Sequence, residues 1–379
     1  MHDVRPSVAV WRSLWLPPSE TFVRDHVASL GRWRPVPVGL FHEPGSLDVR
    51  PVRAPFSRSG PTRRLERLAD RVGYRGVYGR VLARENVSLV HAHFGTDAVR
   101  VLPVARRAGL PLVVTFHGYD VLRAPLQDER YARDLPALFA QAARLYVVSD
   151  YLREKLLALG APPDKVHLHY LGVPVREPLA DPAADRRGVV FVGRLREEKG
   201  ITDLLDAYEA LPETLRRATP LDVVGAGPLL EEVRRRAERL DGPVTVHGLR
   251  TPEQVREILG RSRVFVGPSR LHSDGSAEPF GLTFVEAALA GCAVVGYRAG
   301  GVREGVADGR TGLLVEPGDV GALSEAMASL LADPERARRF GADGQRRVVE
   351  EFDVRARTAL LEEDYDDVVS RWGRGGGAR

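Results

Sequence analysis

Short apolar runs alternate with amphipathic stretches along most of the chain. In the first half, residues 7–11 (SVAVW), 36–41 (VPVGLF), 87–94 (VSLVHAHF), 111–118 (PLVVTFHG), 144–149 (RLYVVS) and 166–172 (VHLHYLG) read as strands. Helical periodicity fills the gaps at 20–30, 63–84, 97–108, 131–142 and 151–159. The second half repeats the alternation, with strands at 188–193, 221–225, 244–248, 264–269, 292–297 and 311–316. Its helices are expected at 200–211, 228–240, 252–261, 281–290 and 320–332. Continuous Val and Leu runs separated by helices predict parallel sheets covered on both faces.

The series restarts near residue 188, after a stretch rich in Pro and Asp with no apolar period (172–188, GVPVREPLADPAADRRG). The expected fold class is therefore α/β: two doubly wound, Rossmann-like domains in succession, facing each other across a cleft. Ligands of such sheets sit beyond the carboxyl ends of the strands. The boundaries read as residues 1–175, a linker at 176–187, a second domain at 188–350 and a helix at 351–372 crossing back to the first domain. Residues 373–379 read as a disordered tail.

Composition narrows the class. With 44% hydrophobic and 28% charged residues among 379, the chain reads as soluble and globular, and no apolar run suits a membrane span. The opening MHDVRPSVAVWRSLWLPP lacks the order of a secretory signal. Cys292 is the single cysteine, which excludes an intrachain disulfide and fits a reducing cytoplasm. Charge is uneven: residues 1–175 carry 25 Lys and Arg against 16 Asp and Glu, residues 176–379 carry 30 against 35. Residues 50–84 alone hold ten arginines against Glu66 and Asp70. Such a stretch suits an anionic acceptor or the inner face of an anionic membrane, or else is a solvated helical face. Nucleic acid is not an expected partner, since stacking aromatics and a binding motif are missing.

Several residues are placed to carry chemistry. In EPFGLTFVE (278–286), Pro279 keeps Glu278 out of the helix that starts near Phe280 and Gly281 and stops before Gly291. Eight helical residues span roughly 12 Å, a length comparable to the sugar-to-ribose separation of a nucleotide sugar. The spacing fits a clamp in which Glu278 accepts from sugar hydroxyls, the helix end holds phosphate and Glu286 accepts from ribose. It also fits two solvated glutamates flanking a buried helix. VVFVGRLREEKG (189–200) favours the clamp, because Arg194 and Lys199 follow a strand and can neutralise a diphosphate together. Lys199 is moreover one of only three lysines among 55 basic residues.

Other motifs are weaker. DVVGAGPL (222–229) has two glycines of a dinucleotide loop and serves equally as a tight turn. His91 and His93 share a strand face, but nothing nearby completes a zinc site, and no metal is expected. His117 precedes Gly118, so it meets a sugar hydroxyl, orients the acceptor or is a satisfied edge histidine. DYD at 364–366 reads as surface charge.

Together, GRLREEKGI (193–201), VVGAGP (223–228), EPFGLTFVEAALAGCAVVGYRAGGVREGV (278–306) and DGRTGLLVEPGD (308–319) resemble glycosyltransferase family 4, with looser matches at HAHFG, TFHGYD and VVSDYL. The resemblance implies the two-domain GT-B fold and a retaining hexosyltransferase that uses a nucleoside-diphosphate sugar without a metal cofactor. It implies catalytic roles for His117, Arg194, Lys199 and Glu278. Donor contacts would come from those last three, from Phe280, Gly281 and Leu282 amides, from Glu286, and from Gly248, Leu249 and Arg250 at the base. Ser19, Glu20, His93 and Asp120 would touch the acceptor, which is a sugar, a lipid-linked glycan or a small molecule. Many members carry a glycine pair after the first strand, where this chain has WLPPSETFVRDH (15–26), and SETFV resembles a subgroup of exopolysaccharide assembly. A nucleotide-sugar epimerase, a phosphorylase and a non-catalytic nucleotide-sugar-binding scaffold remain alternatives.

Overall fold

The computed structural model describes residues 3–17, 20–42, 49, 56–57, 74–177, 179–181, 185–272 and 276–374. The chain divides into two units, Met1–Pro174 with Val354–Arg379, and Val175–Asp353.

Strands of the first unit, numbered along the chain, are β1 (Ser7–Trp11), β2 (Leu14–Trp15), β3 (Arg34–Val38), β4 (Phe41–His42), β5 (Phe56–Ser57), β6 (Val87–His93), β7 (Leu112–Phe116), β8 (Arg144–Val147) and β9 (Val166–Leu168). Six of them form a parallel sheet in the order β3-β1-β6-β7-β8-β9, and β2-β4-β5 make a small second sheet. Chain order reverses beside β1, so the switch point lies between the carboxyl ends of β1 and β6. Every residue of β1 and β7 is buried, which is why these strands are apolar throughout rather than alternating. The expected strand at 36–41 splits. β3 ends at Val38, and Phe41 begins β4 in the other sheet. Pro35 and Pro37 fit because β3 is an edge strand, pairing only with β1 in the ladder.

The second unit contains β10 (Val189–Val192), β11 (Leu221–Val224), β12 (Val244–Gly248), β13 (Val264–Gly267), β14 (Ala293–Tyr297) and β15 (Gly312–Val315). They pair in parallel in the order β12-β11-β10-β13-β14-β15. The switch point here falls between β10 and β13. No described helix is long and apolar enough to cross a membrane.

Two expectations need correction. The helix expected at 351–372 begins at Val354: Pro334–Glu351 and Val354–Arg374 are separate helices, parted at Phe352 and Asp353. The second belongs to the first unit and runs past the expected tail boundary, while 375–379 lie outside the described residues. DYD is not simply surface charge: Tyr365 is fully buried and Asp364 pairs with Arg144. The stretch read as a linker is anchored near its end. Arg186 is buried and donates to the Asp181 carbonyl at 3.0 Å.

Candidate active site

The second unit assembles its cationic group at the switch point. Beyond β10 the loop carries exposed Arg194, then the short turn Glu197–Lys199. Gly200 adopts φ 67°, and a Cβ there would collide with the Pro268 carbonyl just past β13. Glycine thus lets the two loops meet, and the Arg270 amide seals the contact by donating to the Glu198 carbonyl at 3.0 Å. Arg270 is held in turn by buried Asp203, which also accepts from the Tyr297 hydroxyl at 2.9 Å.

Lys199 Nζ donates to Oε2 of Glu278, and the Ser269 hydroxyl donates to the same oxygen at 3.1 Å. Desolvation alone would raise the Glu278 pKa, since its side chain is only 11% exposed. Lys199, helped by Ser269 and the charge of Arg194, outweighs that and holds it below the ordinary value. The carboxylate is therefore ionised at neutral pH beside two cations. Its backbone is fixed as well: Gly301 N–H donates to the Glu278 carbonyl at 2.9 Å. A Cβ at Gly300 or Gly301 would collide with the carbonyls of Glu278 or Pro279.

The helix begins at Leu282 rather than Phe280, with Gly281 before it at φ 83°. Phe280 is buried and its ring packs 5.7 Å from that of Phe352, so it is a core residue first. Glu286 is half-buried one turn into this eight-residue helix. Gly248, Leu249 and Arg250 stand at the end of β12, two strands from β10, with Leu249 75% exposed. In GAGP, a Cβ at Gly225 or Gly227 would meet the carbonyls of Gly193 and Leu195. The two glycines support the loop that carries Arg194.

In the first unit, His93 ends β6 and His117 follows β7, with His93 Nδ1 and His117 Nε2 3.0 Å apart. The His117 ring lies 4.6 Å from both Phe22 and Phe94. Burial, reinforced by neighbouring imidazoles and Arg12, lowers the pKa values of His93 and His117, the latter to about 3. Both rings are neutral.

Glu20, His93 and Asp120, expected at the acceptor, all have partners within the first unit. Asp120 is fully buried; its carboxylate takes the amides of Gly95 at 2.8 Å, Gly118 at 2.9 Å and His117 at 3.1 Å. Burial pushes its pKa up to about 6 against those donors. Glu20 is gripped by Arg12 through two hydrogen bonds of 2.8 and 2.6 Å, and Arg12 also pairs with Asp97. His93 is 3% exposed. Ser19 lies outside the described residues.

His26, His91 and His93 bring nitrogens within 4.8 Å of one another. The His91 and His93 rings are stacked, 4.5 Å apart and 26° from parallel, which aims their in-plane lone pairs side by side rather than at one point. His91 already bonds the Tyr365 hydroxyl through Nδ1 and the Thr115 hydroxyl through Nε2. Both nitrogens of His91 are therefore engaged within the protein. Arg12, Asp97, Ser269 and the Gly300–Gly301 pair are the site residues that the motifs did not single out. The available signal was a charge or hydroxyl just past an apolar strand.

Two doubly wound α/β units, one with cations and a largely buried carboxylate at its switch point, make a GT-B glycosyltransferase, a hexosyltransferase by class. Residues 180–347 match the family described as Glycosyl transferases group 1, and residues 19–177 match Glycosyltransferase Family 4. A protein of Mycolicibacterium smegmatis named GDP-mannose-dependent alpha-(1-6)-phosphatidylinositol monomannoside mannosyltransferase is 34% identical over 290 residues, 71% of this chain and 74% of its own. The amylovoran biosynthesis glycosyltransferase AmsK of Erwinia amylovora is 28% identical over 225 residues, 58% of this chain and 54% of its own. The solved structure of Anabaena Alr3699/HepE in complex with UDP superposes with a TM-score of 0.76 at 19% identity, covering 96% of this chain and 100% of that one. The chain belongs to glycosyltransferase family 4.

Proposed function

We propose that the protein is a retaining enzyme that moves a hexose from a nucleoside diphosphate to an acceptor hydroxyl during polysaccharide or glycoconjugate assembly. The observation that carries this is the convergence of Lys199, Ser269 and Glu278, with Arg194 nearby, at the carboxyl edge of β10 and β13. Arg194 and Lys199 neutralise the departing diphosphate, Glu278 accepts from sugar hydroxyls, and the amides of Gly281 and Leu282 meet phosphate or sugar. Glu286 accepts from the ribose, and Gly248, Leu249 and Arg250 line the base. Fixed positive charge takes the place of a metal. No carboxylate is assigned as a nucleophile. The acceptor oxygen therefore bonds to the anomeric carbon on the face from which the phosphate leaves, and its proton passes to a departing phosphate oxygen. The relatives' names, a mannosyltransferase and an amylovoran biosynthesis glycosyltransferase, support the hexose and the pathway class.

A cytoplasmic setting accords with the single, buried cysteine. Peripheral contact with an anionic membrane is assigned to residues 50–84, most of which lie outside the described residues.

The reaction is tested with UDP-, GDP-, ADP- and dTDP-linked hexoses, using water as a slow acceptor and proton NMR to read the first-formed anomer. The expected outcome is release of one sugar with the donor's configuration, undiminished by EDTA. An inverted first product would refute retention, EDTA-abolished turnover would refute metal independence, and an isomerised donor without transfer would indicate an epimerase.

A further inference from the structure

His93 and His117 form a pair whose protons can be counted. Their ring centroids are 5.2 Å apart and the planes differ by 23°. That separation is what a 3.0 Å nitrogen contact plus two ring radii produces, so the rings lie edge to edge with the hydrogen bond nearly in plane. Two neutral imidazoles bring two N–H groups and two lone pairs. Their mutual bond uses one of each. One N–H and one lone pair remain, shared between His93 Nε2 and His117 Nδ1, and both of these buried nitrogens are without a partner.

The surroundings decide which end keeps the proton. His93 is 3% exposed and packed against the rings of His26 and His91. No acceptor is bonded to its Nε2, and a bare lone pair costs less there than a bare N–H. Nδ1 of His117 is shielded as well, but other atoms of that half-buried residue reach solvent, in the loop that Asp120 holds, so an arriving acceptor can meet this end and not the other. We infer that His93 is a positioning residue: its Nδ1–H donates to Nε2 of His117 and keeps the His117 proton on Nδ1, where it is given to a hydroxyl oxygen of the sugar substrate. The final contact rests on the proposed transfer reaction; the tautomer does not. The arrangement is informative because a free histidine side chain prefers its proton on Nε2.

The test is nitrogen NMR of the full-length protein with 15N-labelled histidine, in the wild type, His93→Leu and His93→Asn. In the wild type, His117 Nδ1 is expected to resonate as a protonated, pyrrole-type nitrogen and Nε2 as a bare, pyridine-type one. His93→Leu should move the proton to Nε2. His93→Asn places a carboxamide N–H near the lost Nδ1–H and should keep it on Nδ1. Sugar release from UDP-glucose and GDP-mannose should follow, with kcat falling about tenfold or more in His93→Leu, KM little changed, and rate recovered in His93→Asn. A wild-type proton on Nε2, a His117 spectrum unchanged by His93→Leu, or equal slowing in both variants would overturn the inference. If neither sugar nucleotide is consumed by the wild type, the transfer contact fails for those donors, while the nitrogen shifts still decide the tautomer.

Discussion

Lys199 and Ser269 converge on one oxygen of Glu278, so a single carboxylate reports on the edge where the loops after β10 and β13 meet. Its lowered pKa means that the pair stabilises the fold above about pH 4.5, the ordinary glutamate value, and that this contribution is lost as pH falls through the lower folded-state value. In Lys199→Ala the desolvation that Lys199 opposed is left to act. The Glu278 pKa then rises, and the residue's contribution reverses sign, becoming stabilising as the carboxyl protonates. We predict that the variant is about 1–3 kcal/mol less stable at pH 7 and that the gap narrows toward pH 4 in urea titrations. A pH-independent gap would contradict the electrostatic account. Arg194, Lys199 and Glu278 were legible because a charge after an apolar run and a Glu-x7-Glu spacing are local patterns. Ser269 and Gly301 were not, since their roles depend on which carboxylate and carbonyls the fold sets opposite them. Leu16 is a similar case. It takes φ 41° in the loop just after β2, and its side chain is fully buried. A left-handed cost of about 1–2 kcal/mol is offset by burial worth about 1.5–3 kcal/mol.

The helix Val354–Arg374 does more than cover a surface. Glu362, 3% exposed, accepts the amides of Gly31, Arg32 and Trp33 through one oxygen at 3.0, 2.8 and 2.8 Å. Three residues on, the Tyr365 hydroxyl bonds His91, and Leu361, Tyr365 and Val368 enter the core beside Trp33 and Val10. Glu362→Ala should cost about 3 kcal/mol by stranding those amides. Glu362→Gln, which keeps an acceptor, should cost less. Equal loss in both, measured by chemical unfolding, would mean that charge rather than hydrogen bonding matters. This helix was readable from its period, with an expected start at residue 351 against Val354 in the structure. The Asp and Glu residues that looked like surface charge bond amides and Arg144 supplied by segments hundreds of residues earlier in the chain.

At the scale of the whole molecule, alternating strands and helices made two doubly wound units legible. The strand orders were not, since pairing joins segments far apart and leaves no local mark. Those orders matter because they put the end of β10 beside that of β13, and the end of β1 beside that of β6. The uneven charge also acts at this scale. Binding to vesicles containing anionic phospholipid should be strong at low salt and decline as salt rises, with replacement of the arginines in residues 50–84 by glutamine abolishing it. Equal recovery in the supernatant with and without anionic lipid would dismiss the membrane contact. The most direct measurement is the rate of nucleoside-diphosphate release from the preferred nucleotide sugar by the wild type and by Glu278→Ala, alongside their melting temperatures. The account predicts a rate loss of roughly 100-fold or more in a protein that remains folded, because Lys199, 23% exposed, can turn to water. Undiminished release from a folded Glu278→Ala protein would contradict it.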